Sequence, residues 1–407
     1  MLNIIWAGFF ILAFVLAVVE TLSGDSDVWA KIVSALFESA DSGFKVALNL
    51  TGVLCFWLGM LRIAEKSGLT DILAKLVRPL LKAIMPELDA KSPAFGSIAM
   101  NMAANILGLD NAATPMGLKA FAQMQEENPH KERASKAQIM FMVLNSSSLT
   151  LLPITIMMYR YQFGSNNPTG VFIPILLATS ISTLSGFIIT ALWQRINIFN
   201  PIILAYLTIG GLLVGGIGYT FMQLDSANRA ALGLICSNMI LFGLVVCFLA
   251  GGLLKRRNVY EDFIDGAKDG FKIAVQIIPY LVAMLSAIAI FRAAGGIDLI
   301  SQGLEKLALW VNIDGEFVKA LPTALMKPLS GSGARAMMID TFRTYGVDSF
   351  AGFVASVVQG STETTFYVLA VYFGSVKISK TGSALPLALF ADFCGITAAI
   401  IISYIFY

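Results

Sequence analysis

Charge is what this chain has least of. Only 13% of its 407 residues are Asp, Glu, Lys or Arg, 57% are hydrophobic, and the mean hydropathy is +0.76. A soluble protein carries about 25% charged residues. The shortage excludes an ordinary soluble domain and points to an all-α polytopic membrane protein. The formal net charge of +2 is too small for a nucleic-acid partner. Histidine is almost missing: His130 stands alone in a charged loop, which leaves no basis for a histidine metal site. Cys55, Cys236, Cys247 and Cys394 are scattered through apolar runs and read as buried thiols rather than disulfides or metal ligands. Met1 to Val19 lacks a basic n-region and a small-residue cleavage site, so it reads as a retained first span. No cofactor is expected.

What is present is a series of apolar segments near the ~20 residues needed to cross a bilayer. They are Leu2–Val19, Phe44–Ala64, Val171–Trp193, Pro201–Met222, Ala230–Leu254, Phe271–Arg292 and Ala384–Tyr407. A polar amphipathic segment with Asp25, Asp27, Glu38 and Asp41 is expected between the first two. Leu69–Met85 places Lys75, Arg78 and Lys82 on a helical pattern and reads as an interfacial helix. Pro93–Phe121 is apolar but interrupted by Asn101, Asn105, Gly108, Asp110, Asn111, Thr114 and Pro115, as a re-entrant hairpin would be. Ala137–Tyr161 is a span broken near Asn145-Ser146-Ser147-Ser148 and again at Pro153. Backbone leaves a helix at membrane depth only where protein or a water-filled cavity covers it.

The second half repeats the order of the first. Gly43-Phe44-Lys45-Val46-Ala47 matches Gly270-Phe271-Lys272-Ile273-Ala274, 227 positions later. The Leu107–Ala113 turn corresponds to Ser330–Ala336, Asn145–Thr150 to Gln359–Thr364, and Val171–Trp193 to Ala384–Tyr407. This divides the chain into a first helix with its amphipathic segment (1–42), a first repeat (43–199), a linking two-helix hairpin (200–257) and a second repeat (258–407). Short-loop Lys and Arg residues from Arg62 to Lys380 fall on one side if the N-terminus is cytoplasmic. The two extra spans between the repeats then make their topology inverted, a signature of secondary transporters. Lys319, Lys327, Arg335 and Arg343 would lie on the outer side, a tension in this orientation.

The polar breaks carry the candidate chemistry. Ser330-Gly331-Ser332-Gly333 would expose N–H groups at a helix N-terminus, where anions bind, and Lys327 and Arg335 add full charge. The plainer reading is a tight turn with snorkelling cations. Gln359, Ser361, Thr362 and Thr364 surround Glu363, which would carry a coupling proton or cation, or pair with Lys327 or Arg335. Asn145, Ser146, Ser147 and Ser148 form its neutral counterpart, with Leu149 where Glu363 stands. They line the site or merely join helices. Asp110 and Asn111 mark the first hairpin tip. Asp340 is a second candidate for coupling, or a partner of Arg335 or Arg343. Asp392 in the last span is site or ion pair. Arg62 and Arg292 are expected to snorkel.

Two long stretches carry a resemblance. Asn101–Phe121 (NMAANILGLDNAATPMGLKAF) and Val143–Arg160 (VLNSSSLTLLPITIMMYR) resemble the bacterial spore maturation A proteins. Lys327–Phe350 (KPLSGSGARAMMIDTFRTYGVDSF) and Gln359–Gly374 (QGSTETTFYVLAVYFG) resemble the B proteins. Both are similar to the nucleoside-recognition "gate" family and distantly to concentrative nucleoside transporters, whose hairpins and broken helices form a moving transport domain. The resemblance implies a site at Asn105, Asn111, Thr114, Asn145–Ser148, Ser330–Arg335 and Gln359–Thr364. Carriers of this kind often associate, which implies a homo-oligomer.

The expectation is a bacterial inner-membrane secondary transporter for a small polar or anionic solute, nucleoside-like or an organic anion. It would be coupled to Na+ or H+ and in contact with membrane lipid. The alternative is a non-transporting scaffold or receptor in envelope or spore maturation. An enzyme is not expected, since no paired nucleophile and base stand out.

Overall fold

A computed structural model of the chain describes residues 2–107, 110–147, 149–224, 226–297, 299, 303 and 315–407. Among these the regular structure is helical, with one isolated bridge between Arg133 and Lys380. The first half comprises α1 (Leu2–Leu22), α2 (Val28–Lys66), α3 (Leu69–Ile84), α4 (Ala94–Ile106), α5 (Asp110–Glu127), α6 (Lys136–Ser147), α7 (Ile154–Gln162) and α8 (Phe172–Gln194). Then come α9 (Pro201–Met222) and α10 (Ser226–Leu254). The second half has α11 (Val259–Ala293), α12 (Leu321–Met326), α13 (Gly331–Tyr345), α14 (Phe350–Ser361), α15 (Thr365–Ser375) and α16 (Ala384–Phe406).

Five described helices are long and apolar enough to cross a membrane: Val28–Lys66, Pro168–Gln194, Pro201–Phe221, Ala231–Leu254 and Ala384–Phe406. Trp6–Leu22 and Leu281–Ala293 are shorter apolar helices. In α9 the apolar side chains Ile209, Leu212 and Leu213 face outward, as they would toward lipid. The amphipathic segment expected before Phe44 is not a separate element. It is the start of α2, a 39-residue helix about 58 Å long. Nothing between Val28 and Lys66 stops it: there is no proline, and Lys45 pairs with Asp41 at 2.6 Å across the expected junction. The helix therefore runs unbroken through positions 42–43.

α2 and α11 run antiparallel along much of their length, and glycines let them do so. A Cβ on Gly43 would lie 3.1 Å from the Val282 backbone. Shifted by 227 positions, the same contact recurs as Gly270 against Cys55, at 2.7 Å. Gly59 lies against Phe263 and Gly266 against the Leu58 carbonyl. α8 and α16 form a second antiparallel pair, with Gly186 against Ala391 and Gly395 against Ser182. Ser182 also donates to the Ala391 carbonyl at 3.0 Å.

Both expected breaks are present. The chain leaves the helix after Ser147 and re-enters at Ile154, and leaves again after Ser361 to re-enter at Thr365. Each break is held by a hairpin tip. Leu151 N–H donates to the Ile106 carbonyl at 2.8 Å, and Phe366 N–H to the Pro328 carbonyl at 3.1 Å. The breaks also hold each other, since Glu363 N–H donates to the Ser146 carbonyl at 2.8 Å.

The basic loops gather. Ala134 N–H donates to the Lys380 carbonyl, Lys380 N–H to Glu132, and Gln194 to the Lys136 carbonyl. At the other end Arg160 meets Asp348, Tyr407 meets the Asp348 carbonyl, and Arg343 meets Ser42 at 2.5 Å. Arg292 does not snorkel. It clasps Asp340, with Nε 3.0 Å from both carboxylate oxygens, and ties α11 to α13. A charge half out of water is better satisfied by a planar two-point partner than by a stretched stem.

Candidate functional site

A cavity of about 140 Å³ opens where the two breaks meet the second hairpin tip. The first half lines it with Asn105, Thr150 and Leu152 to Ile156, and with Tyr159. The second half contributes Lys327, Gly331, Arg335, Met338, Gln359, Gly360, Thr362, Glu363 and Thr364. Three helices begin on this wall. α7 starts at Ile154, α13 at Gly331 and α15 just after Thr364. Each N-terminus carries partial positive charge, although the Gly333, Ile154 and Phe366 N–H groups are already bonded.

The Ser-Gly turn folds as its residues dictate. Ser330, in extended conformation, caps α13 by accepting from Gly333 N–H at 3.0 Å, and Ser332 lies 3.3 Å from it. Gly331 has no side chain because Thr364 is there: a Cβ would come within 2.7 Å of the Thr364 hydroxyl. At Gly333 a Cβ would collide with Met326 at 2.4 Å. Lys327 is buried at the end of α12. The Arg335 guanidinium lies over the ring of buried Tyr159, 5.9 Å from its centroid. The Gln359 carbonyl oxygen, on the wall, is buried without a partner. Such groups cost free energy until something bonds them.

Glu363 stands on the wall but is exposed. Asp340 lies away from the cavity, held by Arg292. Asn145 and Asn105 bond each other at 2.9 Å, and Asn145 also accepts from Tyr372 at 3.4 Å. Ser146 bonds Thr365 and so joins two helices, while the Ser147 and Ser361 hydroxyls turn back to carbonyls of their own helices. Thr114 is half-buried and off the cavity wall. Ser148 and the side chains of Asp110 and Asn111 lie outside the described residues.

Asn101, Thr365 and Arg160 add to the picture beyond the expected site residues. Asn101 donates to the Ala113 carbonyl at 2.8 Å and lies beside Tyr372, extending the Asn105–Asn145 network. Its signal was the four-residue spacing to Asn105, which puts both on one helix face. Thr365 donates to Asp392 at 2.6 Å. Arg160 is almost fully buried, 2.9 Å from Asp348, and donates to the Val347 carbonyl. On the far side of Asn105 an apolar pocket of about 220 Å³ is walled by Val77, Leu80, Phe187 and Leu207.

Fold and site thus define an all-helical, polytopic membrane protein whose halves face each other across a polar cavity. The chain belongs to the Gate family, described as nucleoside recognition, whose model matches residues 47–161 and 274–379. It is similar to spore maturation protein B of Bacillus subtilis, 46% identical over 169 residues, covering 40% of this chain and 93% of that one. It is also similar to spore maturation protein A of the same organism, 38% identical over 189 residues, covering 46% of this chain and 93% of that one. No solved structure matches.

Proposed function

We propose that this protein is a bacterial inner-membrane secondary carrier of a small anionic solute. Its repeats are inverted, its N-terminus is cytoplasmic, and the cavity is its binding site. The observation that carries the reading is the convergence of three helix N-termini, Lys327 and Arg335 on one small polar space with the unpartnered Gln359 carbonyl oxygen. An anion there would find N–H groups, cations and free hydrogen-bonding partners without new desolvation of the protein. Inversion is supported by the recurrence of the Gly43–Val282 contact as Gly270–Cys55 between antiparallel helices. Such a pair is related by a two-fold axis perpendicular to the helices, which lies in the membrane plane if they cross it. The family description extends the candidate solutes to nucleosides.

The test is a thermal-shift screen of purified protein with inorganic phosphate, dicarboxylates, nucleosides and nucleotides, each in sodium and in potassium. A stabilising solute whose effect is lost in Arg335→Ala supports the carrier reading. A second reading comes from the relatives' names: a role in spore maturation as a membrane scaffold or receptor. Stabilisation by envelope extract and by no small solute would favour it.

A further inference from the structure

We propose that Asp392 is a proton-binding site set against Lys327, so that a proton and an anion in the cavity bind together. The second clause rests on the carrier reading above; the first does not.

Asp392 lies in the middle of α16 and is 1% exposed. One carboxylate oxygen accepts from the Thr365 hydroxyl at 2.6 Å, and the Thr362 side chain lies beside the carboxyl group. Thr365, fully buried, also bonds Ser146, whose carbonyl accepts the Glu363 N–H. One turn along α16, Gly395 lies against Ser182 and Thr362, and Thr362 faces the cavity. The acid therefore sits where the breaks of both halves meet, one residue behind the cavity wall.

An ionised carboxylate away from water needs a cation or several donors. Asp392 has the Thr365 hydroxyl and, beside it, the Thr362 side chain. The helices packed on α16 supply no acid. They bring Lys136 at the far start of α6, Arg229 in the first turn of α10, and the weak acids Tyr367, Tyr372, Cys236 and Cys247. Its own helix adds Cys394 and Tyr404. Two charged groups act on it through space: Lys327 attracts the carboxylate and Glu363 repels it. One proton from water, forming one O–H bond, supplies what the surroundings lack.

Lys327 also lines the cavity. An ionised Asp392 and an anion in the cavity thus draw on the same ammonium. Protonation of Asp392 removes one claim on Lys327 and so favours the anion, and the anion in turn competes with Asp392 for Lys327 and favours its protonation. Linkage makes the two effects equal. The consequence is symport of one proton with the anion.

The experiment is infrared titration of the full-length protein in lipid nanodiscs, with aspartate carboxyls isotopically labelled. A band from protonated aspartate is expected at neutral pH, shifted by the label in the unmutated protein, absent in Asp392→Asn and retained in Glu363→Gln. Lys327→Met should move its disappearance to higher pH. The proposal is overturned if the labelled protein shows no protonated aspartate from about pH 5 to pH 9, if the band survives Asp392→Asn, or if Lys327→Met leaves its titration unchanged. No solute is needed. A missing band counts against Asp392 and leaves the carrier reading standing. A solute screen without hits counts against the carrier and leaves the acid.

Discussion

Arg160 shows how much one residue can hold. Its guanidinium reaches Asp348, Ser165, Ser356 and the Val347 carbonyl, tying α7 of the first half to the turn before α14 of the second. Removing one member of a buried pair leaves its partner uncompensated. Arg160→Met should cost about 3 kcal/mol, the low end for such a pair because Asp348 remains partly in water. A marked fall in Tm checks this; an unchanged Tm would show the tie to be idle. Asp348 gives the pH sign. Burial pushes its carboxyl up, but Ser165, the Asn166 N–H and Arg160 outweigh that and hold it below the usual carboxylate range. The stabilisation is therefore complete above the unfolded value of about 3.9 and is lost as pH falls below it. Acid scans of Tm should be shallower in Asp348→Asn than in the unmutated protein. At the site, Arg335→Ala should weaken anion binding at least tenfold, as expected for loss of a charge-assisted contact, with little change in Tm. The sequence disclosed the polar residues on the wall because they interrupt apolar runs. It could not disclose Arg160, which sits at the end of an ordinary helix, nor that Asp340 would be claimed by Arg292 from 48 positions away.

Between elements, close approach is the controlling fact. Gly270 lets α11 touch the Cys55 backbone, so Gly270→Leu should force α2 and α11 apart and lower Tm by the equivalent of about 1–3 kcal/mol. The same substitution at Gly215, where nothing lies within 4 Å of a new Cβ, should be close to neutral. Comparing the two variants separates packing from helix propensity. Most helices were legible from apolar length alone: α9 begins and ends where its composition changes, at Pro201 and Met222. The breaks were legible because hydroxyls, glycines and Pro153 cluster there. The extent of α2 was not, since its polar first turns mimic a separate surface helix and only continuity of backbone bonding joins them to the span. How the hairpin tips bond the breaks, through Ile106 and Pro328 carbonyls, involves backbone groups that no sequence pattern labels.

For the whole molecule, the two halves agree in element order and differ in chemistry. The second half supplies Lys327, Arg335 and Glu363 to the cavity; the first supplies Asn105, Thr150 and Tyr159. One half would then hold charge while the other gives shape and neutral hydrogen bonds. A carrier built this way must open the cavity to each side of the membrane in turn. Thr155 lines the cavity and takes part in no side-chain bond that the account depends on. The most direct measurement introduces Thr155→Cys after replacing Cys55, Cys236, Cys247 and Cys394. Labelling by an impermeant maleimide is then followed in right-side-out and in inverted vesicles. The account predicts labelling from both sides, with phosphate or another stabilising anion slowing both. Labelling from one side only, whatever solute is added, would contradict a carrier and identify the cavity as a receptor pocket.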